Sequence, residues 1–222
     1  MLVLALDTAT PASTATLVEV TPDGLAGIAE QRTVDPRAHG EKLAPEIAAT
    51  LAGAGVRPAD LRAIVAGVGP GPFTGLRVGL ATAASMAQAL RIPTYGVCSL
   101  DGLGRAAGPG RVLVATDARR REVYYATYVD GVREAGPDVD KPAEVAARLA
   151  GRFDRVAGEG GLKYGDLFGV PVLDDLLYPP GAALVALAAE RIREAAPSEP
   201  LTPLYLRRPD AVEPAARKPV LT

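Results

Sequence analysis

Residues 67 to 79 read Gly-Val-Gly-Pro-Gly-Pro-Phe-Thr-Gly-Leu-Arg-Val-Gly, between an apolar, strand-like run from Leu61 to Val68 and an Ala-rich, helix-like run from Leu80 to Leu90. Two Gly-Pro pairs in such a place mark a tight, rigid turn, because glycine permits close backbone approach and proline fixes φ. A strand, a glycine turn and a helix N-terminus are the parts of an anion-binding loop. They are equally the parts of an ordinary strand-to-helix connection. Gly69, Gly71, Thr74, Gly75 and Arg77 are the candidate anion-binding residues, with Thr74 placed to cap the helix and Arg77 in its first turn. The lysine of a Walker loop is missing.

The rest of the chain arranges itself around this unit. Leu2 to Leu6 is a short apolar strand, Thr14 to Val20 alternates as a half-buried strand does, and Leu25 to Val34 follows across a Thr21-Pro22-Asp23-Gly24 hairpin signal. A helix is predicted from His39 to Gly53, with Leu43, Ile47 and Leu51 on one stripe and Pro45 causing a bend or a late start. The helix after the Gly-Pro block carries Leu76, Leu80, Ala83, Ala87 and Leu90 on one stripe and small residues elsewhere. A helix that is apolar nearly all round is buried by its own fold or by a partner.

A second half then echoes the first. Arg111 to Asp117 is a strand ending in Asp, as Leu2 to Asp7 is, and each is followed by another strand, an Asp-Gly turn (Asp23-Gly24, Asp130-Gly131) and a helical region, here Pro142 to Leu149. This suggests two lobes of strand-strand-strand-helix design, divided as residues 1–101 and 102–222. A late helix is expected from Ala183 to Ala196, before a Pro-rich tail that drapes over the surface or frays.

Composition excludes several chemistries. The chain has 222 residues, 48% of them hydrophobic, with 24 basic against 26 acidic residues and a net charge of -2, so no global field draws it to nucleic acid or anionic membrane. Its one cysteine, Cys98, forbids an internal disulfide, and the one histidine, His39, forbids an intrachain Cys/His zinc site. Neither a signal peptide nor an apolar run of about 18 residues is seen, so a cytoplasmic protein is expected.

Other motifs each admit a chemical and a plain reading. Asp7 and Asp117, at strand ends, can flank a cleft and hold a nucleotide-bound metal ion, or serve as turn aspartates; no glycine follows either to admit a phosphate, which favours the turn. Gly158-Glu159-Gly160-Gly161 can approach a nucleotide or simply turn. Arg119-Arg120-Arg121 can touch phosphate or form a solvated turn. His39 has Leu43 where a second metal-binding histidine would stand.

Six of these motifs occur in a recognisable order: Leu4 to Thr10, His39 to Pro45, Gly69 to Gly79, Gly96 to Leu100, Asp117 to Arg120 with Glu122-Val123-Tyr124, and Pro203 to Arg207. Together they resemble the bacterial TsaB (YeaZ) family of tRNA threonylcarbamoyladenosine biosynthesis proteins, over nearly the whole chain. The resemblance implies an α/β protein with the two-lobed actin-like ATPase (ribonuclease H-like) fold, each lobe a mixed sheet with helices. It implies a non-catalytic partner of the catalytic paralogue TsaD, acting with the ATPase TsaE on the adenosine beside the tRNA anticodon. No metal or cofactor is expected of this chain alone, with ATP or ADP placed only at the interface of the complex. The partner-binding residues it implies are Leu43, Ile47, Leu51, Leu76, Leu80, Ala83, Ala84 and Ala87, with a homodimer through the same helices as the alternative. The rival activity is a stand-alone actin-fold nucleotide hydrolase or glycoprotease-like peptidase. Arg121 stands where family members often carry glycine.

Overall fold

A computed structural model describes residues 1–207. The first sheet is built from β1 (Leu2–Asp7), β2 (Ala12–Val20), β3 (Leu25–Val34), β4 (Leu61–Gly67) and β5 (Thr94–Val97), in the order β3-β2-β1-β4-β5. β1 is antiparallel to β2 and parallel to β4. The second sheet holds β6 (Arg111–Asp117), β7 (Val123–Val129), β8 (Val132–Asp140) and β9 (Arg155–Ala157), in the order β8-β7-β6-β9. There β6 is antiparallel to β7 and parallel to β9, so the pattern of the first sheet recurs. The internal echo in the sequence is a repeat of topology, with Asp7 and Asp117 ending the two equivalent strands.

Period-two alternation decides what covers each face. In β1, Leu4 and Leu6 point to one side, against α1 (His39–Gly53) and α2 (Phe73–Leu90), while Val3 and Ala5 point to the other. The second face is covered by Leu184, Val185, Ala188 and Ile192 of α7 (Gly181–Arg193), a helix from the far end of the chain. In the second sheet, Val112 and Val114 meet Leu100 and Leu103 of α3 (Ser99–Ala106). The opposite face, with Leu113 and Ala115, packs on α4 (Pro142–Arg148) and on Phe168 of α6 (Gly165–Phe168). The chain thus exchanges helices: α7 completes the first sheet and α3 the second.

The two exchanged helices lie against each other, and glycine sets their spacing. A Cβ on Gly102 would fall 2.5 Å from Leu184 Cδ2, and one on Gly104 would fall 2.2 Å from Tyr128 Cδ1. The Tyr128 ring is buried, and its hydroxyl donates to Asp101 at 2.8 Å, so it has little freedom to yield.

Several expectations need correction. Leu43, Ile47, Leu51, Leu76, Leu80, Ala83 and Ala87 do not face a partner: they are 0 to 7% exposed and form one cluster with β1 and β4. Of the eight residues assigned to the partner surface, only Ala84 is exposed. The reason is that an apolar stripe reports burial but not the neighbour that buries it, and here the chain's own sheet takes the stripe. The outward faces carry Ala44, Ala48, Ala49 and Ala52 on α1 and Ala81, Ala84 and Ala89 on α2. Pro45 does not delay α1, which starts at His39 and contains it. α2 starts at Phe73 with Pro72 at the cap position and no side-chain cap bond, so Thr74 is not the cap. The late helix spans Gly181–Arg193 rather than ending at Ala196. The tail beyond residue 207, with Pro209, Pro214 and Pro219, lies outside the described residues.

Gly104→Ala is expected to destabilise the protein by roughly 1–3 kcal/mol through overpacking against Tyr128. Gly53→Ala, where no atom lies within 4 Å of the added carbon, serves as the control. Urea melts of the two variants decide it; equal midpoints would mean that α3 shifts freely between the sheets.

Candidate functional site

A cavity of about 540 Å³ opens between the lobes. Thr10, Arg37, His39 and Gly40 line it from the first half, and Asp117, Ala118, Arg119 and Tyr124 from the second. Gly71, Thr74 and Gly75 of the Gly-Pro block form part of its wall, while Gly69 and Arg77 lie outside it.

The glycines of the block face protein rather than open space. A Cβ on Gly71 would fall 2.3 Å from the Ala9 carbonyl oxygen, and one on Gly75 would fall 3.0 Å from that of Thr8 and 3.3 Å from His39 Nδ1. Thr8 Oγ1 donates to the Gly75 carbonyl at 2.8 Å and accepts from the Gly79 amide at 3.1 Å. Gly69 donates its amide to Ser99 Oγ at 3.3 Å. The block therefore seats α2 on the turn after β1. Arg77 is engaged as well: its Nε donates to the Tyr205 hydroxyl at 3.0 Å, and its guanidinium lies 3.9 Å from the Phe73 ring centroid.

The two strand-end carboxylates are held by protein groups. Asp7 is buried and accepts from Ser99 Oγ at 2.5 Å and from the Ala9 amide at 3.0 Å. Burial raises its pKa, against the pull of those hydrogen bonds. Asp117 pairs with Lys163 at 3.2 Å, and its amide donates to Glu159 Oε1 at 3.0 Å. Glu159 opens the short helix α5 (Glu159–Lys163). Its burial pushes the carboxyl up to about 7, and Oε2 has no hydrogen-bond partner. Gly158 and Gly160 lie against the Ala115 carbonyl oxygen, where a Cβ would fall at 2.3 and 2.9 Å. This second glycine cluster brings α5 onto β6.

His39 is buried, with Nε2 3.0 Å from the Thr10 carbonyl oxygen, and Leu43 is in the core. Among the described residues, no group of three His, Cys, Asp or Glu side chains is placed to hold a metal ion. Cys98 is partly buried, which pushes its thiol up to about 11 and leaves little thiolate.

Two features of the cavity mouth were hidden from sequence reasoning. Residues 198 to 207 run as a strap. Glu199 donates its amide to the Thr94 carbonyl at 2.8 Å, and Leu204 donates to that of Val68 at 2.7 Å. Tyr205 then stacks on Phe73 with centroids 5.3 Å apart, Leu206 joins the second lobe's core, and Arg207 pairs with Glu122. Pro203 to Arg207 was visible as a motif, but nothing local said where it lands. The second feature is the turn after Asp117. Arg119, Arg120 and Arg121 adopt φ of 59°, 51° and 62°, three successive left-handed residues without a glycine. Each such residue costs about 1–2 kcal/mol relative to the right-handed region.

The fold and a profile match together define the class. The profile described as "TsaD: tRNA N6-adenosine threonylcarbamoyltransferase" matches residues 28–171. The chain is 33% identical to the tRNA threonylcarbamoyladenosine biosynthesis protein TsaB of Escherichia coli, over 93% of this chain and 95% of that one. It is 49% identical to an uncharacterized protein of Mycobacterium tuberculosis, over 94% and 93% of the two chains. Among solved structures, YeaZ from Pseudomonas aeruginosa matches with a TM-score of 0.74 and 30% identity, covering 92% of this chain and 99% of that one. The chain belongs to the TsaB (YeaZ) family, with the two-lobed actin-like ATPase fold.

Two measurements check this geometry. Between about pH 4.5 and 7 the folded protein holds a proton on Glu159 that the unfolded chain releases, so this group's contribution to stability falls as pH rises through that window. Glu159→Gln keeps an oxygen for the Asp117 amide. It is expected to raise Tm at pH 8 by about 2–4 °C and to lose that advantage near pH 4.5; a pH-independent difference would show that the carboxyl is not held protonated. Arg121→Gly is expected to stabilise by up to about 1 kcal/mol, since the relief of left-handed strain outweighs the added freedom of the unfolded chain. Denaturant midpoints test it, and a loss of stability would contradict a strained turn.

Proposed function

We propose that this chain is a non-catalytic subunit in bacterial tRNA threonylcarbamoyladenosine biosynthesis. In this reading it binds and supports the catalytic paralogue TsaD, with TsaE as a further partner, in threonylcarbamoyl transfer to the adenosine beside the anticodon. The observation that carries the reading is the full-length relationship to a protein named for that biosynthesis, on a matching fold. The interior of the cleft supports the non-catalytic part. Its glycines meet backbone, its carboxylates meet protein donors, and its histidine meets a carbonyl.

The outward faces of α1 and α2 support the partner part. They are lined with alanine, so a second pair of helices can approach closely and bury apolar area worth about 25 cal/mol per Å². Ala48→Glu and Ala84→Glu are expected to abolish co-elution with TsaD while leaving Tm within about 2 °C of wild type. Ala83→Glu is unsuitable, because Ala83 is in the core. The decisive experiment is reconstituted tRNA threonylcarbamoylation with and without the chain. Modification is expected to require it, and independence from it would sink the reading. ATP turnover or peptide hydrolysis by the purified chain alone would favour the rival enzymatic reading.

A further inference from the structure

We infer that the mouth of the interlobe cavity, with Arg37 on one side and the Arg119–Arg121 turn on the other, is a surface that holds a single-stranded segment of RNA. The inference rests on the reading above, which makes tRNA the substrate of the assembly, and adds that this chain touches it.

Three independent observations meet at this place. The first is charge without a counter-charge. Arg37, Arg119 and Arg121 are exposed, and among the described residues their guanidinium groups form no ion pair and no hydrogen bond. Two nearby carboxylates already have cationic partners, Asp117 with Lys163 and Glu122 with Arg207, while Asp35 accepts the Arg37 amide at 2.9 Å and keeps its charge. Arg120 has a partner of its own and carries no part of the argument. In a chain of net charge -2, Arg37 from the first lobe and Arg119 from the second line one opening, and Arg121 lies two residues further along the same turn.

The second observation is strain. Arg119 and Arg121 are both held in the left-handed region, at φ of 59° and 62°, where glycine or asparagine would be less costly. Such strain persists at sites where a side chain is needed in a fixed place.

The third is the aromatic rim. Phe73 and Tyr205 stack at the same opening and remain 45% and 39% exposed. Ring faces beside guanidinium groups are the combination that binds unstacked bases and their phosphates. The cavity behind them, about 540 Å³, is of the size that takes a nucleoside. A double helix offers neither an exposed base face nor an entry into such a cavity, so the surface suits a loop rather than a stem.

The test is fluorescence anisotropy with a fluorescein-labelled anticodon stem–loop RNA, and with an RNA duplex of the same length, titrated with this chain alone and with its TsaD complex. The stem–loop is expected to bind in preference to the duplex. Arg37→Glu with Arg119→Glu is expected to weaken binding roughly tenfold or more and to lower the salt slope by roughly 1.4, about 0.7 for each lost phosphate contact. Tyr205→Ala is expected to weaken binding several-fold with the salt slope unchanged, because stacking releases no counterions. Arg62→Glu, at the opposite end of β4 from the cavity, is the control. Binding unaffected by the double charge reversal, equal binding of duplex and stem–loop, or full displacement by inorganic phosphate would each overturn the inference. A reconstituted reaction separates the two levels. If the arginine variant co-elutes with TsaD but raises the KM for tRNA, both readings stand. If co-elution and KM match wild type, only the RNA surface falls.

Discussion

The Asp7 carboxyl is pressed against the backbone of Gly67, where a Cβ would fall 1.8 Å from its oxygen, and it accepts the Ser99 hydroxyl at 2.5 Å. Ser99 in turn takes the Gly69 amide through Oγ and donates its own amide to the Gly69 carbonyl at 2.8 Å. One buried group thus ties together the end of β1, the end of β4, the start of the Gly-Pro block and the first turn of α3. The start of the Gly-Pro block and the direction in which α3 leaves the first sheet follow from this junction. A buried carboxyl is tolerated there because its hydrogen bonds offset the cost of losing water. Asp117, at the equivalent position of the second lobe, is exposed enough to pair with a lysine and ties down much less.

What the sequence made legible had a local cause. β1, β2, β6 and β7 follow from alternation and from the turn signals between them, and the repeated strand-to-Asp pattern marked the duplicated topology. The Gly-Pro block lies between a strand and a helix, as its apolar flanks imply. The choice between anion cradle and plain connection needed the neighbours, since the Ala9 carbonyl that fills the space above Gly71 is 62 positions away in the chain. The stripe through Leu43, Ile47, Leu76 and Leu80 illustrates the same limit. Helical period identifies a face to be buried, and only the fold says that β1 and β4 bury it. The crossing of α7 to the first sheet and the landing of Tyr205 on Phe73 are long-range events with no signature in their own residues.

The strand-end carboxylates and glycine clusters of the cleft close on protein: Asp7 on Ser99, Asp117 on Lys163, Gly71 on Ala9 and Gly158 on Ala115. The open part is a rim of arginines and aromatic rings contributed by both lobes and by the strap. Two exposed features stand beside each other: the alanine faces of α1 and α2, and the cationic mouth of the cavity at their N-terminal ends.

The exchange of helices between the lobes also governs how the chain is made. During synthesis the first sheet is complete once β5 has emerged, but the face bearing Val3, Ala5 and Val65 has no cover until α7, whose first residue lies 84 positions after the end of β5, leaves the ribosome. An apolar sheet face therefore stays open through translation of the whole second sheet. The nascent chain is exposed to chaperones and to aggregation over that interval, and a truncation before Gly181 removes the cover of the lobe that lies farthest from the cut.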